Sequence, residues 1–237
     1  MIKVLFFLVP LLGQVLAGQG QGQAPVSEEN VPLNTTKGAK MLLAPNTASW
    51  SYFLTMIHLP TQKTQTWCSI ASSVTVLNAL ASDRAPIDPM YDPNPYWTQE
   101  NFFTNCTDAI KDKVKVTKMG ASLEELDEML HCHDINTKIV YGSDVSLDDF
   151  HSILRERLST PDGTYVLVNY HRTEVHQEGG GHFSPVVALN PAQDMVLIAD
   201  VSRYKYAPTW VKISDLFNAV NTQDNVSGKS RGLMLMS

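Results

Sequence analysis

Residues 66–73 read Thr66-Trp67-Cys68-Ser69-Ile70-Ala71-Ser72-Ser73, a short polar turn that runs directly into an apolar stretch. This pattern predicts that a buried helix begins at Cys68. The N–H groups in the first turn of a helix have no partner within the helix, and the helix dipole adds roughly half a positive charge there. Both effects favour a thiolate over a thiol, so Cys68 occupies the kind of position where proteins place nucleophilic cysteines.

The predicted helix is apolar on most of its surface between Cys68 and Ala81, and its interruptions are mainly small Ser and Thr residues. A helix with this composition belongs inside a domain. Two further helices are predicted downstream. One begins at Ser122, which can form a capping box with Glu125, and the other spans about residues 146–158.

The second half of the chain changes to short runs rich in β-branched residues, bounded by Gly, Pro, Asn and Asp. These runs predict strands at residues 165–170, 185–189 and 195–199, and the linker 190–194 is short enough for a hairpin. Helices first and strands later indicate an α+β fold. We expect a helical N-terminal half with a central nucleophile helix and an antiparallel sheet in the C-terminal half.

His182 precedes one strand of the predicted hairpin and Asp200 follows the other. These two ends are neighbours in an antiparallel pair, so we expect a histidine base and its orienting acid to face the nucleophile helix. The chain order Cys68, His182, Asp200 is the order of papain-like enzymes. Gln62 is placed to donate its amide N–H to a developing oxyanion, with the backbone N–H of Cys68 as the second donor.

The N-terminus has the pattern of a cleavable signal peptide, with Lys3, an apolar run and then Val15-Leu16-Ala17. The apolar run is too short and too interrupted to favour a membrane anchor. We assign residues 1–17 to the signal peptide, residues 18–45 to an extended arm and residues 46–237 to the catalytic domain. The mature protein is therefore expected to be exported, periplasmic or extracellular, and not held in a membrane.

The chain has a formal net charge of −6, and no cluster of Lys and Arg interrupts this acidic balance. A nucleic-acid partner is not expected. Of the three cysteines, Cys106 and Cys132 are interpreted as buried small side chains, with a disulfide between them as the alternative. His131-Cys132-His133 does not predict a metal site, because adjacent residues at a helix end point in different directions.

Three segments together resemble the catalytic domain of phytochelatin synthases. They are Gln62 with Trp67-Cys68-Ser69-Ile70-Ala71-Ser72 and Leu77-Asn78-Ala79-Leu80, then Gly179-Gly180-Gly181-His182-Phe183-Ser184-Pro185, and then Asp194 to Val211 with Asp200-Val201-Ser202-Arg203-Tyr204 inside it. The resemblance extends from about Leu59 to Gly232, and its last segment is specific to that family. It implies a papain-like fold and an enzyme that acts on glutathione, γ-Glu-Cys-Gly.

The resemblance implies a two-step reaction at Cys68. The thiolate would attack the Cys–Gly bond, release glycine and keep γ-glutamylcysteine as a thioester, which water or a second glutathione then removes. Family positions that hold the substrate correspond to Asp224 and Arg231, whose charges suit the α-amino and α-carboxylate groups of the γ-glutamyl head. Asn169 and the backbone around Gly181 are further substrate-binding candidates.

The chain ends at Ser237 without a cysteine-rich C-terminal domain, which resembles short prokaryotic-type members that act largely as glutathione hydrolases. We therefore expect no required cofactor and no metal site, with cadmium or zinc acting only as glutathione thiolate complexes. A homodimer is a further expectation from the family. The alternative functions are a broader papain-like cysteine peptidase or amidase and a non-catalytic protein that binds glutathione or its metal thiolates.

Overall fold

The structure is a computed structural model that describes residues 23–80, 84–160 and 163–237. The predicted signal peptide, residues 1–17, lies outside the described residues. Within the described ranges, none of the helices combines the length and the apolar composition that crossing a membrane requires.

Helices precede most of the sheet along the chain. The helices are α1 Thr36–Leu42, α2 Trp50–Thr55, α3 Cys68–Ala79, α4 Asn105–Lys111, α5 Lys113–Met119, α6 Leu123–His131, α7 Leu147–Ser159 and α8 Ile213–Val220, with 3-10 turns at Met56–His58, Gly142–Asp144 and Arg172–Val175. The strands are β1 Val31–Pro32, β2 Thr137–Tyr141, β3 Tyr165–His171, β4 Gly181–Asn190, β5 Met195–Ile198, β6 Thr209–Lys212 and β7 Gly232–Met236.

The strands form one antiparallel sheet in the order β1-β6-β5-β4-β3-β7-β2. The hairpin predicted from residues 185–199 is confirmed as β4 and β5, which pair from Asn190 opposite Met195 to Val186 opposite Ile198. The predicted α+β fold is therefore confirmed, with the nucleophile helix followed by the antiparallel sheet.

Helices cover both faces of the sheet, which explains why β3 is buried along almost its whole length. Tyr165 and Leu167 pack in the core on the α3 side, whereas Val166 and Val168 pack in the core formed with α7 and α8. This alternation is the expected one, because successive side chains of a strand point to opposite faces. Every residue of α3 from Cys68 to Leu77 is buried, as its nearly uniform apolar surface predicts.

The prediction of an extended arm over residues 18–45 is wrong for the residues that the structure describes. Val31 in β1 pairs with Trp210 in β6, and α1 begins after Thr35, whose side chain accepts the N–H of Gly38. Met41 is part of the core on the α3 side. A two-residue strand and a seven-residue helix carry little periodic signal, and their stability comes from contacts with distant residues.

The interpretation of Cys106 and Cys132 as buried small side chains is also wrong. The two residues form a disulfide with a Cα–Cα distance of 5.8 Å, and Cys106 is exposed. The bond joins α4 to the end of α6, across 26 positions of sequence. Cysteine spacing alone does not reveal such a pair, because the pair depends on how the two helices pack. Cys68 is left as the free cysteine.

Candidate active site

Cys68 is the first residue of α3, as predicted, and its side chain is buried. The preceding residue, Trp67, is fixed by a hydrogen bond from its Nε1 to Thr117 Oγ1 at 3.0 Å. The Lys113 ammonium lies 5.3 Å from the Trp67 ring centroid. The start of the nucleophile helix is therefore held by α5, which packs beside it.

His182 is the second residue of β4, and Asp200 follows β5 by two positions. His182 Nε2 lies 2.9 Å from Asp200 Oδ1. The same imidazole makes a hydrogen bond with the Cys68 thiol, and Nδ1 is the ring nitrogen left for it. The structure thus connects Cys68, His182 and Asp200 by hydrogen bonds, with His182 in the middle, as the sequence predicts.

The three groups change one another's acidity. Burial alone would raise the pKa of the Cys68 thiol, but the charge and hydrogen bond of His182 more than offset burial and lower this pKa. Burial alone would lower the pKa of His182, but Asp200 and Cys68 raise it. Both directions favour a thiolate and an imidazolium in the resting site, which is the active form of a cysteine nucleophile.

Sequence reasoning missed Arg172, which also contacts Asp200. Arg172 Nη1 lies 2.7 Å from Asp200 Oδ2, and Nη2 lies 3.1 Å from Oδ1. Burial alone would raise the pKa of Asp200, but the charges of His182 and Arg172 hold this pKa far below its usual range. No local pattern identifies Arg172, because an arginine after a strand usually lies at the surface.

Gln62 is buried and lies next to this cluster. Its Oε1 accepts a hydrogen bond from Ser202 Oγ at 2.8 Å, and its Nε2 donates to Thr64 O at 2.8 Å. Nε2 also lies 3.3 Å from the hydroxyl of Tyr204. The backbone N–H of Gln62 donates to Val201 O at 2.9 Å, which ties this loop to the segment after Asp200.

The four predicted substrate-binding residues lie together, and we call them the Asp224 cluster: Asn169, Gly181, Asp224 and Arg231. Asn169 Nδ2 lies 3.5 Å from Asp224 Oδ2, and the other carboxylate oxygen accepts the N–H of Val226 at 2.9 Å. The charge of Asp224 acts on the Arg231 guanidinium, although burial is the larger effect and lowers the pKa of Arg231. The cluster therefore offers one negative and one positive group side by side.

Arg231 lies against the backbone of Gly181. A Cβ atom added to Gly181 would be 2.7 Å from Arg231 Nη2, so a side chain at this position would collide with the guanidinium. Arg231 Nη1 donates to Gln223 O at 2.6 Å, whereas Nε is buried without a partner in the structure. Because Gly181 directly precedes His182, the Asp224 cluster adjoins the nucleophilic site.

In the part of the chain that the structure describes, no three or more His, Cys, Asp and Glu side chains are grouped as metal ligands. Cys132 forms the disulfide with Cys106, and the ring centroid of His133 lies 4.6 Å from that of Trp97 and 4.7 Å from that of Phe102.

A buried thiol, a base, an orienting acid and an amide donor can together perform acyl transfer through a covalent intermediate.

Comparison with known proteins adds several similarities. The family model described as phytochelatin synthase matches residues 21–233. Glutathione gamma-glutamylcysteinyltransferase 1 of Lotus japonicus is 33% identical over 211 residues, which is 87% of this chain and 40% of that protein. The Arabidopsis thaliana enzyme of the same name is 32% identical over 78% of this chain and 37% of its own length.

A more distant relative is glutathione gamma-glutamylcysteinyltransferase of Schizosaccharomyces pombe, which is 27% identical over 78% of this chain and 43% of its own length. The chain thus spans about two fifths of the length of the curated relatives it matches. Among solved structures, a fragment of Prevotella intermedia prointerpain A has a TM-score of 0.41 and 14% identity, covering 81% of this chain and 71% of that fragment.

Proposed function

Because the chain belongs to the phytochelatin synthase family, we propose that it cleaves glutathione at the Cys–Gly bond through a γ-glutamylcysteinyl thioester on Cys68. Glycine leaves first. Water then releases γ-glutamylcysteine, or a second glutathione accepts the acyl group and phytochelatin forms. The observation that carries this proposal is the position of Cys68, His182 and Asp200 directly beside the Asp224 cluster.

Acylation uses the groups that the site already holds. The Cys68 thiolate attacks the carbonyl carbon of the Cys–Gly bond, and the electron pair of the carbonyl moves to its oxygen. The N–H of Cys68 and the amide of Gln62 stabilise this oxyanion, and each such donor is typically worth about 3–4 kcal/mol. The imidazolium of His182 then protonates the glycine nitrogen, the C–N bond breaks and the thioester remains.

During this step the Gln62 amide must give up one of its hydrogen-bond acceptors so that it can donate to the oxyanion. In the structure Gln62 Nε2 donates to Thr64 O and lies 3.3 Å from the Tyr204 hydroxyl. The contact with Tyr204 is the longer and weaker of the two. Because Tyr204 is 49% exposed, its hydroxyl can turn to water while the freed N–H of Gln62 turns to the oxyanion.

Deacylation returns the site to its starting state. Neutral His182 accepts a proton from water, which attacks the thioester, or from the amino group of a second glutathione. The Cys68 sulfur leaves as a thiolate and the imidazolium is restored. Since both acceptors use the same base, the ratio of hydrolysis to transfer depends on how well the second glutathione is held near His182.

The Asp224 cluster supports a substrate with a free γ-glutamyl head. The Asp224 carboxylate is complementary to an α-amino group, and the Arg231 guanidinium is complementary to an α-carboxylate. In an ordinary peptide the α-carboxyl group of the residue at this position is part of a peptide bond, and its α-amino group is free only at the N-terminus. A protein with these two charges beside its nucleophile is therefore expected to prefer glutathione over general peptide substrates.

The test is incubation of the mature protein with glutathione, with and without cadmium, followed by mass spectrometry of the products. Free glycine with γ-glutamylcysteine indicates hydrolysis, and an added γ-Glu-Cys unit indicates transfer. Cys68→Ser should abolish both. Efficient cleavage of peptides that lack a γ-glutamyl head would instead support a broader peptidase. Tight glutathione binding without glycine release would support a binding protein.

Metal ions enter this proposal as part of the substrate. Cadmium or zinc would be bound by glutathione thiolates, and the protein would supply no ligand set of its own. Export of the mature chain and pairing into a homodimer stay predictions, from the N-terminal pattern and from the family resemblance respectively.

A further inference from the structure

The site contains a fourth buried charge, the guanidinium of Arg172. We propose that Arg172 is a positioning residue: it holds the Asp200 carboxylate toward His182 and balances the charge of the site, so that Cys68 stays a thiolate. This inference deepens the proposed function and rests on it for the role of the three residues in turnover. The charge effect on Cys68 is independent of which substrate the site uses.

The Asp200 carboxylate is fixed on both oxygens. Arg172 contacts both, with Nη1 at 2.7 Å from Oδ2 and Nη2 at 3.1 Å from Oδ1. Oδ1 also accepts the N–H of Ser202 at 2.7 Å and faces His182 Nε2 at 2.9 Å. The planar fork of an arginine matches a carboxylate in two places, which prevents rotation of the carboxyl group.

Arg172 is itself held in place. Its Nη1 donates to Gln177 Oε1 at 2.6 Å. The guanidinium carbon lies 5.1 Å from the ring centroid of Tyr206 and 5.9 Å from that of Tyr170. A guanidinium that is bonded in its plane and covered by aromatic rings is a rigid support for Asp200.

The charges in the site balance only when Arg172 is present. Asp200 and the Cys68 thiolate are negative, and the His182 imidazolium and Arg172 are positive. Without Arg172 a net negative charge would remain among buried groups, which is costly. The thiolate is the more basic of the two anions, so it would take up a proton first.

Other titratable groups around Arg172 do not replace its charge. Burial raises the pKa of Tyr170 well above its usual range, so this phenol stays neutral and adds no charge beside Arg172. Lys205 also lies nearby, because a Cβ on Gly179 would be 3.1 Å from Arg172 Cδ and 3.5 Å from Lys205 Nζ. Lys205 is half-buried, but its Nζ donates to Glu178 O at 2.7 Å in an exposed hydrogen bond, where water screens its charge.

The first test uses alkylation of Cys68 and needs no glutathione. Because Cys106 and Cys132 are joined, the rate of reaction with iodoacetamide as a function of pH reports the thiolate of Cys68. We expect Arg172→Met to move the midpoint of this profile upward by roughly one pH unit or more. Arg172→Lys keeps the charge and should leave the midpoint close to that of the wild type.

A matched control separates charge from packing. Gln177→Leu removes the other side-chain hydrogen-bond partner of Arg172 and leaves the contact between Arg172 and Asp200 in place. We expect this variant to lose some thermal stability without moving the alkylation midpoint. No shift in Arg172→Met, or a shift in Arg172→Lys as large as that in Arg172→Met, would overturn the charge role of Arg172.

The second test measures steady-state glycine release from glutathione. We expect Arg172→Met to lower kcat by about 10-fold to 100-fold with little change in KM, because the orientation of the His182 base is lost. Arg172→Lys should lower kcat several-fold, since an ammonium group cannot hold both carboxylate oxygens. Full activity of Arg172→Lys would contradict the positioning role. If Arg172→Met does not fold, the kcat of Arg172→Lys alone decides the question.

A double-mutant cycle shows whether Arg172 acts through Asp200. In an Asp200→Asn background, Arg172→Met should have little further effect on kcat. Additive losses would mean that Arg172 acts elsewhere and would overturn the inference. If the wild type releases no glycine from glutathione but the alkylation shift is observed, the proposed substrate is wrong and the charge role of Arg172 stands.

Discussion

Gly181 shows how one missing side chain shapes the site. The Arg231 guanidinium occupies the space where a Cβ of Gly181 would be, at 2.7 Å from Nη2. Arg231 cannot easily retreat, because its Nη1 is bonded to Gln223 O at 2.6 Å and to Thr222 Oγ1 at 3.2 Å. The absence of a side chain at Gly181 therefore sets the position of the positive group in the Asp224 cluster.

We predict that Gly181→Ala raises the KM for glutathione by roughly tenfold or more, with a smaller effect on kcat. The displaced guanidinium would lose its charge-assisted contact with the substrate carboxylate, and such a contact is worth about 1.5–3 kcal/mol. The measurement is the initial rate of glycine release as a function of glutathione concentration.

Gly180→Ala is the matched control for this prediction. A Cβ added to Gly180 would meet no atom within 4 Å, so this variant should keep the KM of the wild type. Equal effects of the two substitutions would show that backbone stiffness of the glycine segment matters, and not the position of Arg231.

At the scale of elements, α4 and α6 are joined in two ways. The disulfide between Cys106 and Cys132 links them covalently, and Lys111 Nζ lies 2.8 Å from Glu125 Oε2. Glu125 also accepts the N–H of Ser122 at 2.8 Å, which completes the capping box predicted from sequence. The two helices therefore behave as one unit beside α5 and the start of α3.

We predict that the double variant Cys106→Ser/Cys132→Ser loses about 3 kcal/mol of unfolding free energy. A cross-link that closes a loop of 26 positions reduces the conformational entropy of the unfolded chain. At 25 °C this raises the free energy of the unfolded state by about 3 kcal/mol. Urea unfolding followed by circular dichroism measures the loss. Glycine release well below the unfolding transition should be unchanged, because neither cysteine contacts the nucleophilic site.

Reduction of the wild-type disulfide provides an independent check. The reduced wild type and the double serine variant should unfold at similar urea concentrations. A wild type that is equally stable in both redox states would show that packing of α4 on α6 suffices without the covalent bond.

For the whole molecule, the buried charges link stability to pH. The pKa of Asp200 lies far below its usual range, because His182 and Arg172 hold the carboxylate in its ionised form against the effect of burial. In the unfolded chain an aspartate titrates at about pH 4. A group with a lowered folded pKa adds stability above the unfolded pKa and loses it as pH falls toward the folded value.

We therefore predict that Asp200→Asn is less stable than the wild type at pH 6 and that this gap narrows below about pH 4. Below about pH 4 the unfolding free energy of the wild type should fall by about 1.4 kcal/mol for each pH unit, because Asp200 takes up one proton when the protein unfolds. The difference from Asp200→Asn should shrink at the same rate. Urea unfolding of both proteins at pH 6, 4 and 3 measures the gap.

Glu128→Gln is the control, because it removes an exposed carboxylate on α6. Its effect on stability should vary much less with pH, since exposed charges are screened by solvent. A gap for Asp200→Asn that stays constant from pH 6 to pH 3 would contradict the assignment of Asp200 as a buried, ionised group.

Features that depend on neighbours in sequence could be predicted. The helix start at Cys68, the capping box at Ser122 and the hairpin predicted from residues 185–199 all arise from local propensity and periodicity. Residue chemistry also limited the nucleophile to Cys68. With the family resemblance, it indicated the four candidate substrate-binding positions that the structure brings together.

Features that depend on distant partners were decided only by the tertiary structure. Arg172 is 28 positions from Asp200, and Trp210 donates to the carbonyl of Gly38 across 172 positions. The disulfide likewise requires α4 to pack beside α6. Sequence determined that Cys68, His182 and Asp200 could act together and where α3, α6 and the β4–β5 hairpin lie, because those properties are local. Tertiary packing decided which buried charges meet, because desolvation and pairing exist only once the core has formed.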